Sequence, residues 1–218
     1  MIFQNLITNT LQNSPDIFFW KSTGVSKAII GLASTLQVSS GSGNGAQAAQ
    51  EDVAQRCAAA FNNYTLDASS IARLVEDGVI EVLLKLATSY SEQCRENCAR
   101  ALCNICTGYG MEQVVVMNTT AVPELMVMAL VRSESAVTKQ ICAVALMNVL
   151  IPTTIEKMIQ YGIVWAMSSL SHQAESHANH QSKKRRDSSG SIGSSGGGGG
   201  NGGSGGGGKC QFILYLTS

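Results

Sequence analysis

Histidine is absent from the first 171 residues of this 218-residue chain; His172, His177 and His180 all come later. A Cys–His or Ser–His pair is thereby excluded from that stretch, and with it the usual activated nucleophiles. Charge is scarce as well: charged residues make up 14% of the chain and sum to a formal net charge of zero. No global field draws the protein to nucleic acid or to a membrane surface. No apolar run approaches the roughly 18 residues that suggest a membrane span, and the opening MIFQNLITNTLQ lacks the basic and apolar regions of a secretory signal. The late glycine tract is homopolymeric, without the Lys-Ser/Thr or strand–helix context of a phosphate-binding loop. These absences lead us to expect a soluble protein of the cytoplasm or nucleus. It is expected to be no enzyme, with no catalytic set, no cofactor, no metal, no small-molecule substrate and no nucleic-acid partner.

What the chain does contain is a repeated heptapeptide. Residues 57–63 (CAAAFNN), 98–104 (CARALCN) and 142–148 (CAVALMN) all fit C-A-x-A-[FL]-x-N, and lie 41 and 44 residues apart. That period belongs to stacked helical repeats, in which each unit buries its apolar face only against its neighbours. A second element recurs with the first: Gly24-Val25, Gly78-Val79, Ala121-Val122 and Gly162-Ile163 each open an apolar run. Offsets five and eight in these runs are mostly large and apolar, as in Leu83 and Leu86, and both fall on one helical face. Shorter segments at 70–77, 111–118 and 155–161, the last behind Pro152, carry helical spacing too. Each unit therefore reads as a short helix, a sharp Gly or Ala turn, a second helix and a third helix bearing the heptapeptide.

The unit at 72–107, ARLVEDGVIEVLLKLATSYSEQCRENCARALCNICT, closely resembles an armadillo repeat in its Gly after the first helix, its apolar second helix and the ALxN ending of its third. The resemblance covers about residues 1–171 and grades into HEAT-type repeats. It implies an all-α, right-handed superhelical solenoid of about four units that acts as a scaffold or adaptor for protein partners.

Counting residues within the units locates two insertions at the same point. The turn-to-motif distance is 20 residues from Gly78, 21 from Ala121 and 33 from Gly24, which places a flexible insertion near 39–50. From Gly162 the next candidate is Cys210, so 172–208 is expected to be a disordered His, basic and Gly/Ser-rich linker. Residues 209–218 then read either as a third-helix fragment or as an unrelated apolar tail. At the other end, 3–8 resembles the end of a third helix, so the chain is expected to begin inside a repeat.

In the armadillo family the third helices line a concave groove, and the resemblance implies that the recurring asparagine grips the backbone of an extended peptide. A primary amide both donates and accepts, so Asn63, Asn104 and Asn148 would form a ladder; alternatively they brace neighbouring loops. Four and seven positions earlier on the same face stand Ala59 and Arg56, Arg100 and Asn97, Val144 and Ile141. Nuclear import receptors of the importin-α type carry Trp at the minus-four position and acidic residues nearby; Ala, Arg and Val here depart from that pattern. With Arg56 and Arg100 on the face, the expected partner is an extended or helical segment with acidic or phosphorylated residues.

Two further readings stay open. Cys94, Cys98, Cys103 and Cys106 suggest zinc or redox chemistry, but about 18 Å of helix separates the outer pair, beyond one tetrahedral site, so core packing is expected. Lys183, Lys184, Arg185 and Arg186 form a candidate localisation signal, which carries the alternative of a nucleocytoplasmic transport factor or nuclear cargo. Ser188 behind them is a candidate phosphosite, where phosphate would offset the positive charge.

Overall fold

The computed structural model describes residues 24–37 and 45–189, apart from 109, 111–113, 116, 118 and 119. The chain divides into two compact units, Met1–Ala178 and Asn179–Ser218, and the second is described only by helical backbone up to Ser189. Every regular element among the described residues is a helix. In order these are α1 (Val25–Thr35), α2 (Gly45–Thr65), α3 (Ala68–Glu76), α4 (Val79–Leu86), α5 (Glu92–Cys106), α6 (Ala121–Val127), α7 (Ala136–Asn148), α8 (Ile155–Gln160) and α9 (Ile163–Ser189).

The three heptapeptides fall on α2, α5 and α7, and their small residues permit close approach. Cys57, Ala58, Ala60 and Phe61 are buried on α2, as are Cys98, Ala99, Ala101 and Leu102 on α5. On α7, Cys142, Ala145 and Leu146 are buried, while Ala143 is half-buried against the same core. The most extensive inter-helix packing joins α2 to α5 and α5 to α7, so the three third helices lie side by side. The second helices follow the same order, with α1 against α4 and α4 against α6. Lys85 Nζ donates to the Ser34 carbonyl at 2.5 Å, and Lys27 pairs with Asp77 at 3.4 Å, which ties α1 to the next unit.

Short-range chemistry explains where the helices start. Asp67 caps α3 by accepting from the Ser69 N–H, and Ser91 and Ser135 cap α5 and α7 by accepting from the N–H groups of Cys94 and Thr138. The turn glycines Gly24, Gly78 and Gly162 have φ of 71°, 90° and 82°. An L side chain there costs about 1–2 kcal/mol. Ala121, in the equivalent place, makes no such turn: it is buried as the first residue of α6, after Thr120 at φ −111°.

The one-residue excess in that unit also has a structural outlet. α6 continues into a π-helical turn, Met128–Arg132, in which the Ser133 N–H reaches the Met128 carbonyl at 3.0 Å, five residues back. A π turn holds one residue more than an α turn, and so α7 still meets α5 in register.

Three sequence-based expectations need correction. Residues 45–50 of the expected insertion are the first turns of α2, because the Ala and Gln after Gly45 favour helix. Residues 172–189 of the expected disordered linker are helical in α9. No Gly or Pro interrupts the chain from Ile163 to Ser189, and Ala, Gln, Glu, Lys and Arg carry the helix through a polar stretch. Pro152 does not open α8; Thr154 borders it, and its buried hydroxyl donates to the Val149 carbonyl. Most of 111–118 lies outside the described residues, as do 3–8, 38–44, 190–208 and 209–218.

Candidate functional site

Aligned on the motif cysteine, the third helices present one outer stripe at positions −5, −2, +2 and +5, flanked by −1 and by the asparagine at +6. On α2 this stripe begins at exposed Asp52 and ends at Asn62; on α5 it runs from exposed Gln93 through Glu96 and Arg100 to Cys103. On α7 it reads Val137, Gln140, Val144 and Met147.

The asparagines lie at one register but not in one state. Asn63 is exposed. Asn104 Nδ2 donates to Thr65 Oγ1 at 3.1 Å, and Asn148 Nδ2 donates to Cys103 Sγ at 3.9 Å, each partner belonging to the preceding third helix. Two of the three amides thus brace adjacent units through their nitrogen. Asn97 is 9% exposed and packs into the stack, so its expected place on the open face is corrected. The cause is its position at −1, which the α2–α5–α7 packing covers.

Both arginines are committed to carboxylates on their own helices. Arg56 Nε and Nη2 donate to Asp52 at 2.9 and 3.1 Å, and Arg100 Nε and Nη2 donate to Glu96 Oε1 at 3.0 and 2.8 Å. In each pair the acid precedes the arginine by four residues, a spacing that puts the two side chains on one face. The Arg56 guanidinium holds the Asp52 carboxyl below its ordinary range by donating hydrogen bonds to it.

No disulfide joins the six described cysteines, and all but the half-buried Cys103 are buried. Burial pushes the Cys57 thiol up to about 11 and the Cys142 thiol up to about 12, and raises Cys98 well above its usual value. Because only the thiolate attacks, maleimide at neutral pH is expected to label Cys103 well ahead of Cys57, Cys98 and Cys142. Peptide mass mapping before and after denaturation checks this, and equal labelling rates in the folded chain would contradict the buried assignment. Among the described residues no group of three or more His, Cys, Asp or Glu is placed to hold a metal ion.

Sequence reasoning missed the most elaborate polar cluster, which joins one unit to the next. Glu92, the first residue of α5 after its Ser91 cap, accepts from Thr138 Oγ1 at 2.8 Å and from Ser133 Oγ, both across the joint, and from Arg95 on its own helix. Burial pushes the Glu92 carboxyl up, but these hydrogen bonds and the Arg95 charge outweigh it and hold the group below its ordinary value. One unit earlier Glu51 accepts from Ser89 Oγ, and Gln55 accepts from Ser91 Oγ at 2.9 Å. The signal was present: an acid six residues before the motif cysteine (Glu51, Glu92) and a Ser-x-Ser nine and seven before the next (Ser89 and Ser91, Ser133 and Ser135). Ala136 occupies the acid's place on α7.

The backbone of Lys183, Lys184, Arg185, Arg186 and Ser188 lies in the last turns of α9, within the second unit. Asn63, Asn104, Asn148, Arg56, Arg100 and Val144 fall on three packed helices of the first. No described helix is long and apolar enough to cross a membrane.

No curated protein and no solved structure matches the chain. One family model does, described as "Armadillo/beta-catenin-like repeat", over residues 67–107. Its span opens on the Asp67 cap and closes with α5, so it takes in α3, the Gly78 turn, α4 and the second heptapeptide. The stretch on which the second heptapeptide, the left-handed glycine and the packed third helix converge, residues 67–107, is thus similar to an armadillo repeat.

Proposed function

We propose that the chain is a non-enzymatic scaffold or adaptor whose units stack as a superhelical solenoid, with α2, α5 and α7 lining a concave face that holds an extended or helical segment of a protein partner. The observation that carries this reading is the side-by-side packing of three third helices with Asn63, Asn104 and Asn148 at one register. Packed helices are spaced about 8–10 Å apart, close to two or three residues of extended peptide at about 3.3 Å each. Nδ2 of Asn104 and of Asn148 gives one of its two N–H groups to the preceding unit, which leaves a second N–H and, on the other side of the amide, the Oδ1 acceptor. That atom suits a peptide N–H and reads no side chain.

The double variant Arg100→Glu, Asn104→Ala places a second carboxylate beside Glu96 and removes one rung. Affinity capture with the intact chain beside this variant, with bound proteins identified by mass spectrometry, is expected to show partners lost at unchanged helicity. Undiminished capture by the variant would remove the third-helix face as the binding surface.

A further inference from the structure

We infer that the partner segment is uncharged and apolar where it crosses α7, and that Val137, Val144 and Met147 select it; this rests on the peptide-binding face proposed above. At positions −5, −2, +2 and +5 α7 has Val137, Gln140, Val144 and Met147, three of them apolar, whereas α2 (Asp52, Gln55, Ala59, Asn62) has only Ala59 and α5 (Gln93, Glu96, Arg100, Cys103) only Cys103. Val137 is 49% exposed and Met147 54% exposed, with Val144 and Ile141 half-buried between them. A helix that is apolar on its core face and again on its outer face reads as one covered on both sides.

Charge decides the class of occupant. Lys139 is the one charged residue in α7, and its Nζ bonds Gln173 Oε1 on α9 at 2.9 Å, away from the outer stripe. On the two neighbouring helices Asp52 with Arg56, and Glu96 with Arg100, close on each other. An acidic or phosphorylated ligand residue meets no charge on α7, and on α5 it must compete with a carboxylate already seated at 2.8 Å. An aliphatic or aromatic side chain meets Val144 with Val137 or Met147 beside it, and it displaces water from surface that gains nothing by staying wet.

The stripe also fits an extended strand rather than a single pocket. An extended peptide advances about 3.3 Å per residue, so about three residues span the roughly 8–10 Å between packed helices such as α5 and α7. One apolar side chain then rests on α7, while the backbone between reaches Asn104 and Asn148.

The test is a display selection of random twelve-residue peptides on the full chain, followed by fluorescence polarisation of a recovered peptide on the chain and on single variants. The expected result is enrichment of peptides that share a Leu, Ile, Phe or Met at one position, binding that is little changed from about 0.05 to about 0.5 M salt, and about tenfold or greater weakening by at least one of Met147→Glu and Val137→Glu. Both replaced side chains are exposed, so folding is retained, and circular dichroism confirms it. Trp165→Glu, at an exposed residue of α9 outside the stripe, should leave affinity unchanged and so separates the stripe from general stickiness. Recovered peptides that are acidic, or that are insensitive to Met147→Glu and Val137→Glu while losing affinity with Asn104→Ala, overturn the apolar assignment and leave the groove standing. Recovery of no binding peptide, or of peptides indifferent to all the third-helix changes, overturns both.

Discussion

Replacing Leu102 with alanine is expected to lower the unfolding free energy by about 3 kcal/mol. Leu102 is fully buried, and it sits on α5, the helix that packs against both α2 and α7. Truncation loses the transfer energy of three methyl-sized groups and leaves a cavity that two neighbouring helices, held by their own polar joints, close only in part. Because stacked units gain stability from nearest-neighbour interfaces, the loss falls on both sides of the central unit at once. Urea denaturation followed by circular dichroism measures it. Leu66→Ala, at a residue 71% exposed on the short link after α2, provides the control and should change stability by no more than about 0.5 kcal/mol. If the two variants unfold at the same midpoint, Leu102 is not the centre of the core.

The second large effect is expected at the joint between the central unit and the next. Glu92→Ala removes the acceptor for Ser133 and Thr138, both nearly or fully buried. Stranding two buried hydroxyl donors costs about 2–3 kcal/mol. Glu51→Ala should cost less, since Glu51 reaches a single serine across its joint. The same carboxylate makes stability depend on pH. Glu92 is held below its ordinary value of 4.5 in the folded chain, so its contribution is present above that value and is lost as pH falls through the lower folded value. Glu92→Gln keeps an acceptor oxygen but cannot titrate, and should flatten the acid limb of a stability–pH profile that the unaltered chain shows below about pH 4.5. Superimposable acid limbs would mean that the carboxylate charge does not hold this joint.

The elements whose conformation depends on nearby residues were legible in the chain. Three copies of C-A-x-A-[FL]-x-N predict three helices with one small-residue face, and α2, α5 and α7 bury that face. Gly24, Gly78 and Gly162 predict sharp turns, and each is left-handed. The residue count that set Ala121 to Cys142 one longer than its counterpart was correct, but counting does not say where the extra residue goes. The structure places a π turn just ahead of Ser133, which reaches Glu92 across the joint. Polarity misled at 172–189, where polar composition suggested a linker although nothing in the composition breaks a helix.

The candidate site divides in the same way. Its positions follow from helical periodicity: residues at +6 share a face whatever surrounds them, so Asn63, Asn104 and Asn148 could be aligned by counting alone. Their chemistry could not. Arg100 in the sequence is a cation four residues before an asparagine, and only the folded helix shows it already answered by Glu96. Asn104 is an amide with two faces, and only the packing of α5 on α2 shows which one Thr65 takes.

The sequence by itself determined the repeat, its three-helix unit, the left-handed turns at Gly24, Gly78 and Gly162 and the positions that share one face of each third helix, because backbone dihedrals, residue size and a period of 3.6 act over a few neighbouring residues. The tertiary structure decided which polar groups are spent and which remain. Glu92 with Ser133 and Thr138, and Asn148 with Cys103, join residues 41 to 46 apart in the chain that meet at hydrogen-bonding distance. A hydrogen bond or a covered face is a property of two surfaces brought within a few ångströms, and the spacing of letters along one of them does not contain the other.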